Sequence, residues 1–382
     1  MASVVAPPPS LALAVAVAVA VALLLLLGGL STASGCFSAI FSFGDSITDT
    51  GNAVRLGRVG GPSGIPPYGR TFFGRPTGRF SDGRVILDFI AQGLGLPLVR
   101  PYLEGGDFRR GVNFAVAGAT ALDLDFFSAK GIDASWTHKS LRVQIEEFKQ
   151  LLPSLSSDPK EFLNTSLILL GEIGGNDYNH PFFHGNKADD IRTFIPSVID
   201  AISTSISDLV ELGANTLLVP GNFPLGCVPA YLDVFESDDA EKYDSETGCI
   251  RWLNEFSEYH NRLLLEELER LRKLHPHVTI IYADYYGATI SFFHAPKLFG
   301  FKAPLHACCG SNGRYNVSRA VQCGHKDAKV CSDPSAFISW DGIHLTESAY
   351  GAIARSLLQG PHAKPPLLRA CPGTRQNEVY DF

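Results

Sequence analysis

No stretch of this chain interleaves clustered lysine and arginine with aromatic side chains. Its 32 basic residues are outnumbered by 39 acidic ones, for a net charge of −7. That balance argues against nucleic acid as a partner. Nothing resembles a phosphate-cradling P-loop, a closed G-x-G-x-x-G turn or an H-E-x-x-H helix, so local signatures of nucleotide binding and zinc proteolysis are missing. G-x-S-x-G is missing too, which argues against an α/β-hydrolase elbow. No repeat, low-complexity linker or shift in composition divides the body, and residues 36–382 are read as one domain.

The N-terminus is unlike the rest. Residues 11–30 are an unbroken apolar run of Ala, Val, Leu and Gly, followed by the small residues 31–35. This fits a secretory signal peptide cleaved near residues 33–35. No Lys or Arg precedes the run, and 20 apolar residues are long enough to span a bilayer, so a retained signal-anchor stays as the alternative. Membrane association is expected only in that case. All eight cysteines lie after the run, and an even count in an oxidising compartment favours disulfides without choosing among their pairings. Cys308, Cys309, Cys323 and Cys331, with His306 and His325 nearby, invite a zinc reading. No paired C-x-x-C spacing supports it, and no metal site is expected. Asn164 and Asn316 open N-x-S/T sequons, informative only in a secreted chain.

Past the leader, β-rich apolar runs at 39–43, 112–117, 166–173, 216–219 and 278–282 alternate with helix-like periodicity at 84–94, 141–152, 191–212, 250–274 and 348–358. Such alternation predicts a parallel sheet with helices on both faces. Four of the runs end in small or polar residues, and in a parallel sheet those ends share one edge. A Gly-, Pro- and Arg-rich stretch over 55–84 reads as long loops, either solvated or touching substrate.

The run at 39–43 ends on Gly44-Asp45-Ser46, which makes Ser46 a candidate nucleophile, although turn residues alone explain an isolated Gly-Asp-Ser. A hydrolytic serine needs a base, a group to orient that base, and donors for the oxyanion. Asp341 and His344, three residues apart before a segment that Thr346 can cap, offer the first two. The other ten histidines lack comparable context. The N–H of Gly118 and the side-chain amide of Asn176 are candidates for the third.

Gly44-Asp45-Ser46 with Asp49 and Gly51-Asn52, Gly111-x-Asn113-Phe114-Ala115 with Gly118-Ala119, Gly174-x-Asn176-Asp177, and Asp341-x-x-His344 stand in the order of the blocks of the GDSL family, the SGNH hydrolases. The chain resembles that family's plant secreted esterase/lipase branch from about residue 37 to 358. The resemblance implies a three-layer α/β/α fold of flavodoxin-like type with about five parallel strands. It implies Ser46 as nucleophile, His344 as general base and acid, and Asp341 as orienting partner. Its oxyanion donors are the N–H groups of Ser46 and Gly118 and the side chain of Asn176. No cofactor is required, and with the Asp341–His344 pair in the catalytic role Asp45 and Asp49 are expected to be structural acids; Asp49 and Asn52 are expected to fix the loop after the serine by side-chain-to-backbone hydrogen bonds. The expected substrate is a small-molecule or polysaccharide ester carrying acetyl or another short acyl group. The alternatives are a lipase for long acyl chains and an inactive carbohydrate-binding glycoprotein. The expected location is the cell wall or extracellular space, or the Golgi if the leader is retained.

Overall fold

A computed structural model describes residues 36–57, 61–311 and 313–371. The expected signal or anchor in residues 1–35 and the end of the expected domain, residues 372–382, lie outside them.

Five short apolar runs form the central sheet: β1 (Ile40–Phe43), β2 (Gly111–Asn113), β3 (Leu167–Leu170), β4 (Thr216–Pro220) and β5 (Thr279–Ala283). Every neighbouring pair is parallel, and the order across the sheet is β2-β1-β3-β4-β5. Parallel strands need crossovers, and here these carry helices α1 (Ile86–Gly93), α2 (Leu141–Leu151), α3 (Gly175–Phe183), α4 (Ile195–Leu212) and α5 (Arg251–Leu274), while α6 (Tyr285–His294) and α7 (Glu347–Gln359) follow β5.

The two-residue period of a strand divides the core. Phe41, Phe43, Ile168, Leu170 and Leu217 pack with Phe148 of α2, Ile206 of α4 and Leu268 of α5. Ile40, Leu167, Leu169, Leu218 and Ile281 pack with Ile90 of α1, Phe292 of α6 and Ile353 of α7. Because both faces are covered, the strands read as continuous apolar runs rather than alternating ones. The result is the expected three-layer α/β/α sandwich. Its order reverses at β1, between β2 and β3, and a crevice opens beyond the carboxyl ends of strands at such a point.

The differences from expectation are local. The strand expected over 112–117 ends at Asn113, whose Oδ1 accepts from the N–H of Ala115 at 3.1 Å, while the N–H groups of Phe114 and Val116 still donate to the carbonyls of Ser42 and Gly44. The helix expected over 191–212 is two pieces, Ala188–Arg192 and α4, with Pro196 in the first turn of the second. Helices α3 and α6 were not anticipated. The sequence of α3, Gly-Asn-Asp-Tyr-Asn-His-Pro-Phe-Phe, is turn-like in composition. That of α6 is apolar without a stripe, and Asp284 caps it by accepting from the N–H of Gly287 at 2.8 Å.

The cysteines pair as Cys36–Cys371, Cys227–Cys249, Cys308–Cys331 and Cys309–Cys323. The four cysteines weighed for zinc are therefore bonded to each other, stapling the segment ahead of residues 339–345. The Gly- and Pro-rich loop is anchored rather than freely solvated. Within it Arg79 makes a buried bidentate pair with Asp88 of α1, both bonds at 2.7 Å, and Tyr68 and Phe80 are buried.

Candidate active site

Ser46 stands just beyond the carboxyl end of β1, and the turn that presents it is clamped from several sides. Gly44 has φ 138°, and a Cβ there would lie 2.9 Å from the carbonyl oxygen of Glu172, so the turn requires glycine. Gln144 of α2 grips that residue's backbone: its Oε1 accepts from Gly44 N–H and its Nε2 donates to Gly44 C=O, both at 2.9 Å. After the serine, Asp49 accepts from the N–H groups of Gly51, Asn52, Ala53 and Ala117 at 2.7–3.0 Å. Asn52 donates to the carbonyls of Asn113 and Ala115 and accepts from Leu103 N–H. These two polar side chains tie the loop after β1 to the segment after β2, the fixing role expected of them.

Asp341 and His344 arrive from the other end of the chain, in the turn before α7. His344 Nδ1 lies 2.7 Å from Asp341 Oδ2, and His344 Nε2 lies 2.8 Å from Ser46 Oγ. With a carboxylate on one side, Nδ1 carries the proton and donates, which leaves Nε2 to accept from the serine hydroxyl. Burial pushes the Asp341 carboxyl up. The charge and hydrogen bonds of His344, with the Tyr68 hydroxyl, outweigh that and hold it below its ordinary value. Tyr68 donates to Asp341 Oδ2 at 2.7 Å, and the ring of Phe80 lies 4.6 Å from the His344 ring, centroid to centroid. Both come from the loop over 55–84, and nothing local in the sequence marked them for this.

The three nominated oxyanion donors border the same place. Among the described residues, the N–H groups of Ser46 and Gly118 donate to no protein acceptor. Gly118 has φ 80° and no side chain. Asn176 enters from the first turn of α3, where its Nδ2 donates to Asp45 Oδ2 at 2.8 Å and to Ala119 C=O at 3.0 Å. Both of its hydrogens are thus engaged in the resting protein, and an incoming oxyanion must share or displace one. Burial, then the charge and hydrogen bond of Glu172, push Asp45 well above the ordinary range, and burial raises Glu172 as well. The two acids share one buried site, where the charge of Glu172 disfavours ionisation of Asp45 beside the serine. The sequence singled out neither Glu172 nor this pairing.

Two hollows meet at Ser46 and Asn176. One is a small pocket of about 60 Å³ between Phe223, Leu225, Phe293, Ile338 and Leu345. The other is an open groove of about 450 Å³ that includes Gly118, Trp136, His180 and Phe183, with Asp341 and His344 in its wall. Of the two sequons, Asn164 is exposed at the end of a short helix. Asn316 is half-buried and its Nδ2 donates to Ala307 C=O at 2.8 Å, so a glycan on that nitrogen would leave it one hydrogen to donate.

Residues 40–357 match the family model described as GDSL-like Lipase/Acylhydrolase. The chain belongs to this GDSL family. It is 50% identical over 344 residues to the GDSL esterase/lipase At2g27360 of Arabidopsis thaliana, covering 88% of this chain and 87% of that protein. It is also 50% identical over 344 residues to the sinapine esterase of Brassica napus, covering 88% of each. A third relative, the Arabidopsis GDSL esterase/lipase At1g28640, is 50% identical over 364 residues, 92% of this chain and 93% of its own. This GDSL protein is a carboxylic ester hydrolase. Its four disulfides are compatible with the secretory pathway.

Proposed function

We propose that the protein is a secreted serine esterase that works through an acyl-enzyme, with Ser46 as nucleophile, His344 as general base and then acid, and Asp341 as its orienting partner. The observation that carries this reading is the unbroken hydrogen-bonded chain from Ser46 Oγ through the His344 ring to Asp341. As Ser46 Oγ attacks the ester carbonyl, its proton passes to His344 Nε2. Asp341 stays ionised and stabilises the imidazolium that forms. The tetrahedral oxyanion takes hydrogen bonds from the N–H groups of Ser46 and Gly118, already free of protein acceptors, and from Asn176, which turns one hydrogen from Asp45 or Ala119. His344 then protonates the departing alcohol, and water repeats the sequence to release the acid.

Residues 1–35 act as the secretion signal and 36–382 as the hydrolase domain, placed in the cell wall or extracellular space, or in the Golgi if the leader is retained. Of the sequons, Asn164 is the one whose nitrogen is open to a glycan. The substrates are small-molecule or polysaccharide esters with acetyl or another short acyl group. The pocket of about 60 Å³ supports the short acyl by its size, and likeness to a sinapine esterase supports a small ester.

The test is a series of 4-nitrophenyl esters from acetate to palmitate, with Ser46→Ala as control. Activity confined to acetate and butyrate and abolished in the variant is expected. A maximum at palmitate would make the protein a long-chain lipase, and activity surviving in Ser46→Ala would remove the nucleophile.

A further inference from the structure

The two hollows at Ser46 differ in which half of an ester they can accept. The leaving oxygen must receive its proton from His344 Nε2, and His344 lies in the wall of the open groove alone. The alcohol therefore departs into the groove of about 450 Å³, within the range of small-molecule sites, and the acyl group enters the small pocket of about 60 Å³. This assignment rests on Ser46 and His344 in the roles given above.

The small pocket is apolar along most of its wall, yet it holds two polar groups with nothing to bind. Asn222 and Thr289 are 2% and 3% exposed, and both line it. Asn222 Nδ2 and Thr289 Oγ1 have no hydrogen-bond partner among the described residues. The backbone of Asn222 is fixed: its N–H donates to Asn261 Oδ1 at 2.7 Å and its C=O accepts from Asn261 Nδ2 at 3.0 Å. That leaves the donating capacity of the side-chain amide unused on a fixed backbone. A buried donor with no partner carries a desolvation cost, and a ligand acceptor that meets it recovers that cost. The other unpartnered buried atoms, on Ser42, Ser63, His275, Trp340 and His362, belong to residues that line neither hollow.

We propose that the small pocket is an acyl subsite built for a short acyl chain bearing an oxygen acceptor, such as an ether or hydroxyl, which Asn222 and Thr289 recognise, while the larger groove takes a bulkier alcohol. Plain alkyl chains of the same length leave both groups unpaired and are discriminated against on that account.

Isosteric pairs test this, with oxygen replacing one methylene: 4-nitrophenyl methoxyacetate against butyrate, and 3-methoxypropionate against pentanoate. The kcat/KM of each is divided by its hydroxide-catalysed rate, which removes the electronic effect of the ether. The full-length enzyme is expected to favour the ether of at least one pair by about tenfold, the scale of one recovered hydrogen bond. Asn222→Leu and Thr289→Val are expected to reduce or reverse that ratio. An alkyl preference in the wild type, in both pairs, overturns the proposal even if neither variant folds. An ether preference that persists in both folded variants overturns it as well. Loss of every activity in Ser46→Ala beside an absent ether preference counts against the subsite alone, whereas activity in Ser46→Ala counts against the nucleophile.

Discussion

Replacing Tyr68 with phenylalanine removes one oxygen and leaves the ring, with its edge contacts to Phe80 and Trp340 at 6.1 and 5.8 Å, in place. The lost oxygen donates to Asp341 Oδ2, the same atom that accepts from His344 Nδ1. Asp341 keeps that bond and two from the backbone N–H groups of Ile343 and His344, at 3.0 and 2.8 Å. One of four donors to a buried carboxylate is gone, and hydrogen bonds to charged groups are worth about 1.5–3 kcal/mol. If the loss is felt where the imidazolium forms, kcat/KM falls between about tenfold and about a hundredfold. The sign with pH follows from the depressed Asp341 carboxyl. Its contribution to stability is complete above the unfolded value and is lost as pH falls through the folded one. Without Tyr68 the folded value moves up, so acid loss of both activity and melting temperature sets in at higher pH. The assay is kcat/KM on 4-nitrophenyl acetate with a thermal melt at each pH from about 2 to 8, which spans the acid range where a depressed carboxyl titrates. A variant within threefold of wild type, with the same acid limb, would refute the idea that Tyr68 holds Asp341.

Other expectations follow from the same geometry. Asp49→Ala strands four buried N–H groups and is expected to destabilise the fold by roughly 3–5 kcal/mol in denaturant titration; a change below about 1 kcal/mol would show the loop is held otherwise. Gly44→Ala forces a Cβ against the Glu172 carbonyl and is expected to abolish activity, while retained kcat would mean the turn can shift. Burial lifts Asp177 to about 7, so the folded state binds a proton that the unfolded state has released. That contribution is full below about 4 and disappears as pH rises through 7, at about 1.4 kcal/mol per pH unit. His260, pushed down to about 4 by burial, acts in the opposite sense below 6.5. The Asp177 slope is therefore clearest near pH 6.5–7, and Asp177→Asn should flatten it; an unchanged slope would refute the assignment. In the secreted protein, Asn164→Gln is expected to remove a glycan detectable by mass, whereas an unaltered mass would place any glycan elsewhere.

The sequence by itself determined whatever depends on neighbours in the chain. Continuous apolar runs announced strands buried on both faces, and Gly-Asp-Ser after the first announced a polar turn at a sheet edge. Asp341 and His344 are three residues apart, so one turn presents both, and Thr346 does cap the helix that follows, accepting from Ala349 N–H at 3.3 Å. Joining that turn to Ser46 was legible only through the order of the family's motif blocks, because the two lie 298 residues apart and many polar pairs have equal local claims. Helix α3 stayed hidden because its turn-like residues are held helical by packing of Tyr178 and Phe182 into the core rather than by propensity. Tertiary structure alone decided the four disulfide pairings, the Tyr68 bond to Asp341 across 273 residues, the Gln144 clamp on Gly44, and the Asp45–Glu172 pair. Each needs two segments brought together by strand order and helix crossover, and no local pattern encodes the distance between them.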